Sequence, residues 1–428
     1  MIVKAELIAQ DVVLTCLQTD KFKTSCLSVN LLTPLNRESA AKSALTPKVL
    51  RRGTVALPDM AAISNRLDSL YGARLSPMVR KKGEVQVIGF FADFADDAFL
   101  PDKNQNLEDI AALLGEILLR PATSAGVLRE DYVESEKEKL LDKLRGRLND
   151  KRAFALQRLL DNMCSMEDYG TDPLGTEQSI ENINAAELTA HYRSLLQSSP
   201  LEIFYCGSAD WGRVAAALKP ILAALPRANG ETPDIGTDIR MNALEENPRY
   251  FEDALSVTQG KLSMGFRLGD CMEEPDTAAI RVFNAVFGGC VTSKLFMNVR
   301  EKLSLCYYAS SAVDLHKGVM IVSSGIEFDK FEAAKSEILA QLEAVRAGDF
   351  TDEELSAAKR SVAGDYRSLT DSPSALEGFY LDMALIGPEL SPSELAEEAE
   401  RVTKEQVIKI AAGVELDAVY FLRGEEEN

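Results

Sequence analysis

Histidine is almost missing from this chain, whose 428 residues include only His191 and His316. Single histidines far apart in sequence make poor metal sites, so structural or solvent-facing roles are expected for both. Neither stands beside a serine or cysteine motif, and Gly-x-Ser-x-Gly does not occur, so an independent hydrolase has no support. Paired cysteines are missing as well. Cys16, Cys26, Cys164, Cys206, Cys271, Cys290 and Cys306 are scattered, odd in number and without any Cys-x-x-Cys. That pattern reads as buried, reduced thiols rather than a disulfide framework or a thiolate metal site. No apolar run approaches the roughly 20 residues that cross a bilayer. Met1 to Thr19 alternates apolar and polar residues and lacks the apolar stretch of a secretory signal, so a cytoplasmic location is expected. Positive charge is in deficit, with 47 Lys and Arg against 67 Asp and Glu, a net charge of −20. Nucleic acid and anionic membranes are therefore poor candidates as partners, since both need basic patches. Basic peptides remain compatible.

What is present reads as two α+β halves, 1–228 and 241–428, joined where the stretch from Pro226 to Arg240 breaks all periodicity. In the first half, Thr24–Leu32 and Val85–Phe91 are strand candidates, and Asp59–Leu70 carries apolar residues at helical spacing. Asn106–Arg120 is a helix stopped by Pro121, and a long helix is expected from about Arg129 to Met163. A helix around His191, a strand at Leu201–Cys206 and a helix at Trp211–Leu225 close the half. In the second half Leu262–Arg267 is a strand, Asp276–Phe287 and Ser293–Lys302 are helices, and Tyr307–Val313 with Gly318–Ile326 form a hairpin. Thr351–Glu354, Ser391–Glu394 and Thr403–Gln406 are capping boxes that open helices, and Val419–Leu422 is a final strand. Strands followed by helices in each half indicate an α+β architecture, with helices packed on one face of a mainly antiparallel sheet.

Chemistry is suggested by Ser293-Lys-Leu-Phe-Met-Asn-Val-Arg300-Glu-Lys-Leu-Ser-Leu-Cys-Tyr307-Tyr308-Ala-Ser-Ser311. A late-helix Arg300 and a strand-entering Tyr307 are positive and hydroxyl donors suited to an oxyanion or a peptide carbonyl. The bland reading is a structural Arg–Glu pair with a core tyrosine. Phe287-Gly-Gly-Cys290, just before it, reads as a turn and lacks the spacing of a phosphate loop. Glu134–Asp142 carries mixed charge and reads as a solvated face.

This motif, with Arg51-Arg-Gly-Thr54 and Leu67-Asp-Ser-Leu-Tyr71-Gly-Ala-Arg-Leu75, resembles the inverzincin metallopeptidases, the family of pitrilysin and the mitochondrial processing peptidases. The resemblance spans essentially the whole chain and implies two homologous halves of LuxS/processing-peptidase-like fold. Catalytic members bind zinc through His-x-x-Glu-His, which is lacking here. Aligning Gly53-Thr54 with the Gly-Thr that follows the zinc helix puts Ala44, Pro47 and Lys48 at the first His, the Glu and the second His. The third ligand position falls at about Lys143. Ala44 offers no donor, Pro47 no carboxylate, and Lys48 a charge of the wrong sign, so no metal or other cofactor is expected. Further blocks are similar to a zinc-less bacterial branch whose members accompany a zinc-bearing sister. The resemblance implies a catalytically inactive subunit of a peptide-processing heterodimer, with Arg300 and Tyr307 as a substrate-binding or oxyanion half-site. It also implies an association with a 5-aminopentanol modification of translation elongation factor P. Val85–Phe91 either pairs with an extended peptide, as the family strand does, or is a buried central strand. A non-enzymatic peptide-binding or scaffold protein acting as a homodimer remains the alternative.

Overall fold

The computed structural model describes residues 2–101, 105–227, 232–387 and 390–425. Two compact units emerge, and neither is one stretch of sequence. The first comprises Met1–Arg145, Thr171–Gly236 and Ser372–Leu385, and the second Gly146–Gly170, Thr237–Asp371 and Ile386–Asn428. The halves expected from the linker are contiguous; the compact units are not, because each takes one segment from the other half of the chain.

Among the described residues, thirteen strands follow in chain order. Those of the first unit are β1 (Ile2–Ala9), β2 (Val12–Gln18), β3 (Thr24–Pro34), β4 (Arg74–Lys82), β5 (Val85–Ala95), the short pair β6 (Thr123–Ser124) and β7 (Val127–Leu128), and β8 (Leu201–Gly207). The second unit holds β9 (Arg249–Leu255), β10 (Gly260–Arg267), β11 (Cys306–Asp314), β12 (Val319–Ile326) and β13 (Glu415–Gly424). The first unit has a 6-stranded sheet of order β1-β2-β8-β3-β5-β4, and the second a 5-stranded sheet of order β11-β12-β10-β13-β9. In the first, β2 and β8 run parallel and every other neighbour is antiparallel. In the second, β13 and β9 form the single parallel pair. Removing β1 leaves two sheets with the same chain-order topology, β2-β8-β3-β5-β4 against β9-β13-β10-β12-β11. The duplication inferred from element order is therefore present in the strand pairing itself.

β3 is buried on nearly all of its length, because its sheet is covered on both faces. One face packs the main core, with Leu27, Val29, Leu31, Ile88 and Phe90 against Leu45, Val49, Leu114, Leu195 and Val214. The opposite face receives the helix Pro373–Ile386, whose Leu376 meets Leu17, Cys26, Phe204 and Cys206 and whose Leu381 meets Leu32, Val85 and Val87. Glu377 of that helix is 1% exposed, accepts from Asn30 Nδ2 at 3.0 Å and pairs with Arg80 at 2.8 Å. The second unit repeats the device. Helix Lys151–Met163 lies on its sheet, burying Leu159, Leu160 and Met163 against Val319, Ala418, Tyr420 and Leu422. Helices on one face only were expected; the segments Ser372–Leu385 and Gly146–Gly170 cover the other.

The expected helix from Arg129 to Met163 is two helices, Glu130–Gly146 and Lys151–Met163, separated by a 3-10 turn at Arg147–Asn149. Asp150 ends the register: its carboxylate caps the second helix through the N–H groups of Arg152 and Ala153, the use to which Asp is best suited. The three capping boxes at Thr351, Ser391 and Thr403 all form. All seven cysteines are free thiols, and Cys16, Cys26, Cys164, Cys206 and Cys306 are buried. None of the described helices is long and apolar enough to cross a membrane.

Candidate functional site

Ala44, Pro47 and Lys48 fall on the helix Ala40–Leu50, which is buried around most of its circumference. Ala44 is wholly buried in the main core, and Pro47 lines a small apolar gap with Leu31, Thr46, Leu50, Phe90 and Leu118. Pro47 lacks the N–H that would bond the carbonyl one turn back, yet packing keeps the helix continuous to Leu50. The helix ends at Arg51, and Gly53 and Thr54 make the turn that follows. A Cβ on Gly53 would stand 2.4 Å from the Pro58 carbonyl oxygen, so only glycine fits this crossing. Thr54 is buried, and its Oγ1 accepts from Leu57 N at 2.9 Å.

Lys48 is half-buried and points among other cations. Burial is the larger cause that pushes its ammonium below the usual value, and the charge of Lys143 comes next; Glu136 offsets them, and Lys139 adds to the depression. Lys143, far off in sequence on the helix Glu130–Gly146, is thus an electrostatic neighbour of Lys48. Glu136 is 7% exposed and receives Lys139 Nζ at 2.7 Å and Arg52 Nη1 at 3.3 Å. The helix segment Glu134–Asp142 is consequently not a plain solvated face. Lys137 is buried too, with its Nζ on the Ile183 carbonyl at 2.8 Å. Among the described residues, no group of three or more His, Cys, Asp or Glu side chains is arranged to hold a metal ion.

His191 sits against the same helix, with Nε2 2.9 Å from Ser43 Oγ. Ser43 is fully buried, so this Ser–His contact is closed to any substrate and is a structural hydrogen bond. Burial, and secondly Lys42, push the His191 pKa down to about 4. His316 lies in the turn between β11 and β12, its backbone N–H donating to Asp314 Oδ1 at 2.9 Å. β5 is flanked by β3 and β4 along its whole length. It is the central strand of the two readings left open, and has no free edge for a peptide.

The second candidate group lies in the second unit. Helix Thr277–Asn284 runs on into a π-helical turn at Ala285–Gly289, so Phe287-Gly-Gly-Cys290 is the end of a helix and not a free turn. A Cβ on Gly288 would stand 2.6 Å from Leu295 Cδ1 and 2.8 Å from Ser311 N; the absent side chain lets this turn press against the Arg/Tyr segment. Leu295–Lys302 is also π-helical and carries Arg300. Such wide turns recur at functional sites. From there the chain is closed by bonds from Leu303 N to Asn298 O at 3.1 Å, Ser304 N to Arg300 O at 3.1 Å and Leu305 N to Val299 O at 3.0 Å. Ser304 takes a left-handed φ of 50°, a costly conformation for a residue with a Cβ.

Tyr307 follows at a β-bulge. Cys306 pairs with Ile326 and Tyr308 with Gly325, so Tyr307 is the extra residue on edge strand β11. A bulge at an edge re-aims a side chain. Tyr307 is 62% exposed, which sets aside the reading of a core tyrosine. Arg300 is 41% exposed, stacks over Phe296 at 4.7 Å and touches the carboxylate of its neighbour Glu301 at 3.5 Å. Tyr308, by contrast, is half-buried under Arg152, 4.5 Å above its ring. Arg300 and Tyr307 thus both reach solvent, with no hydrogen bond or ion pair joining them among the described residues. Sequence reasoning missed Arg52, Lys139 and Ser304; the only signal for Ser304 was its place between helix and strand, and tertiary pairing alone exposes the other two.

A duplicated α+β chain with two sheets of one topology matches the processing-peptidase-like fold that the sequence resemblance implies. Comparison with known proteins narrows this. A family model described as "Peptidase M16 inactive domain" matches residues 182–362. The chain is 34% identical over 409 residues, 96% of its length and 95% of the relative's, to "Probable inactive metalloprotease YmfF" of Bacillus subtilis (strain 168). A crystal structure of a conserved protein from Enterococcus faecalis V583 superposes with a TM-score of 0.89 at 30% identity, covering 100% of this chain and 99% of that one. A peptidase M16 inactive domain from Pseudomonas fluorescens shares the fold at 18% identity, with a TM-score of 0.79 over 100% of this chain and 99% of that one. The chain belongs to the M16 peptidase family, as one of its members that is not catalytic on its own.

Proposed function

We propose that this chain is the substrate-handling subunit of a peptide-processing pair, acting with a zinc-bearing M16 homologue that supplies the metal. Arg300 and Tyr307 are its donors to the peptide carbonyl or the developing oxyanion. The observation that carries this reading is how Tyr307 is presented: a left-handed Ser304 precedes an edge bulge that carries the phenol into solvent. Tyr307 is exposed, and strained backbone beside an exposed polar side chain is characteristic of a site. Ala44, Pro47, Lys48 and Lys143 are, on this reading, the degenerate zinc positions of the first unit. Free, mostly buried thiols suit a cytoplasmic pair, and modification of translation elongation factor P is the process with which the resemblance associates it.

Co-expression with a zinc-bearing M16 homologue, followed by size-exclusion chromatography and peptide cleavage, tests the pairing. A co-eluting complex that cleaves, while this chain alone binds no stoichiometric zinc and cleaves nothing, is the expected result. About one tightly held zinc per chain would sink the assignment of Ala44, Pro47 and Lys48. The alternative homodimeric scaffold draws on edge strand β1, where Ile2, Val3 and Leu7 are 68%, 42% and 68% exposed. Apolar edges invite a second copy. A stable dimer of this chain alone, with no complex on co-expression, would favour it.

A further inference from the structure

Tyr308, the neighbour of the exposed Tyr307, carries two cations on one ring. The Arg152 guanidinium lies 4.5 Å and Lys261 Nζ 5.9 Å from its centroid. Strand register brings them there. Tyr308 of β11 pairs with Gly325 of β12, which pairs with Lys261 of β10, so the three stand in one row on one face of the sheet. A Cβ on Gly325 would stand 2.5 Å from Tyr308 Cε1 and 3.0 Å from Gln259 Oε1; the missing side chain lets the ring lie across β12 toward Lys261. Arg152 arrives from the first turn of the helix Lys151–Met163 and donates through Nη2 to Ser310 Oγ at 3.1 Å. Lys261 Nζ donates to Gln259 Oε1. Both cations are thus held by neutral groups, a ring face, a hydroxyl and an amide, and neither makes an ion pair among the described residues. Asp150 is the carboxylate whose charge reaches Lys261 and Tyr308. Its Oδ1 is already engaged, accepting from the N–H groups of Arg152 and Ala153. Burial first, and next the charge of Arg152, hold the Lys261 ammonium below its usual value. Like charges gathered on one ring are unfavourable unless an anion joins them.

We propose that Arg152 and Lys261, gathered on the Tyr308 ring, form a site for one carboxylate of a bound peptide, either an acidic side chain or the C-terminus. The inference rests on the reading of this chain as a peptide-handling subunit, and adds a specificity contact one residue from Tyr307. Stacking and the Ser310 bond fix the plane of the guanidinium while using one N–H, so the rest of its donor fork can meet a carboxylate. Arg152 is exposed and Lys261 half-buried, which leaves the pair open to a ligand on one side and partly desolvated on the other. Charge favours a monoanion. Two cations beside Asp150 leave an excess of one positive charge, which a carboxylate balances and a phosphate dianion exceeds. A net charge of −20 repels free anions at long range. The carboxylate therefore arrives on a peptide that other contacts hold, and the occupant is a peptide of mixed charge.

The test uses the full chain and three fluorescent decapeptides of otherwise equal sequence. One has a central Glu-Glu and an amidated C-terminus, one a Gln-Gln and a free C-terminus, and one a Gln-Gln and an amidated C-terminus. Anisotropy titrations should show that at least one carboxylate-bearing peptide binds about tenfold more tightly than the neutral one, the worth of roughly one charge-assisted contact. Which of the two binds tighter identifies the source of the carboxylate. Arg152→Gln and Lys261→Gln should each lower this ratio, the double variant should bring it to about one, and Lys261→Arg should keep it. The ratio separates recognition from architecture, because a merely structural role would move both affinities together. Thermal melts of each variant confirm folding, and Arg152, being exposed, is the safer site to change. Equal affinity of the wild-type chain for all three peptides, or a ratio that survives the double variant, overturns the site while leaving peptide binding intact. Failure of every peptide to bind overturns the peptide-handling reading as well. Stronger displacement of the preferred peptide by inorganic phosphate than by acetate, at equal ionic strength, overturns the assignment to a carboxylate.

Discussion

Glu167 and Arg267 meet at 2.6 Å in the second unit, with the Arg267 side chain wholly excluded from solvent. The same carboxylate takes Lys317 Nζ at 2.8 Å, and Asp417 takes Arg267 Nε at 2.8 Å. Burial pushes the Glu167 carboxyl up, but its bonds to Arg267 and Lys317 outweigh this and hold it below the ordinary value. Glu167 belongs to the segment Gly146–Gly170, so this cluster ties that segment into the second unit. Removing one member of a buried ionic cluster leaves uncompensated charge and costs about 3–5 kcal/mol. Glu167→Gln should therefore lower stability by that order in urea denaturation, whereas Glu138→Gln, at an exposed helix position, should change it little.

Gly288 and Ser304 offer opposite tests of the Arg/Tyr segment. Gly288→Ala drives a methyl into Leu295 and Ser311, and overpacking of this kind typically costs about 1–3 kcal/mol. Ser304→Gly relieves a left-handed φ of 50° and should hold stability constant or raise it. Melting temperatures of the two variants should move apart. If both fall equally, the φ at Ser304 is not strained.

Tyr307→Phe removes a single hydroxyl from a side chain 62% exposed. If it serves the oxyanion in the mixed complex, turnover should fall about 10²–10³-fold, with assembly and peptide affinity changed far less. Arg300→Ala should fall comparably. Steady-state cleavage by complexes of verified stoichiometry checks this, and wild-type rates in both variants would make the motif architectural.

His191 and Glu202 give stability a pH dependence of opposite sign. Burial, then Lys42, depresses His191 from 6.5 to about 4, so its contribution is present above about pH 6.5 and is lost as pH falls toward 4. Burial raises Glu202 from 4.5 to about 7, so its contribution is present below 4.5 and is lost as pH rises through 7. His191→Gln should soften acid unfolding between pH 6.5 and 4. Glu202→Gln should raise stability at pH 8 and leave pH 4 nearly unchanged. Thermal melts across this range read both effects.

Local signals in the sequence determined most element positions, because their causes are local. Asp59 caps the helix Met60–Ser69, and the capping boxes at Thr351, Ser391 and Thr403 start helices as written. The deficit of histidine removed metal chemistry from view, and the Ser293–Ser311 block pointed to the family that the whole-chain similarity establishes. β4 escaped notice because Arg80, Lys81 and Lys82 blur its alternation; Arg80 and Lys82 find their carboxylates on Glu377 and Asp382, far away in sequence. That pairing is long-range, and so was decided only by tertiary structure. The same holds for the exchange of Gly146–Gly170 and Ser372–Leu385 between units, since an amphipathic helix encodes an apolar face but not which sheet covers it. Tertiary structure likewise converted Tyr307 from a strand residue into an exposed donor, through a bulge that exists only in register with β12. Lys143 became an electrostatic neighbour of Lys48 although the two lie on helices distant in sequence, which periodicity within either helix has no means to record.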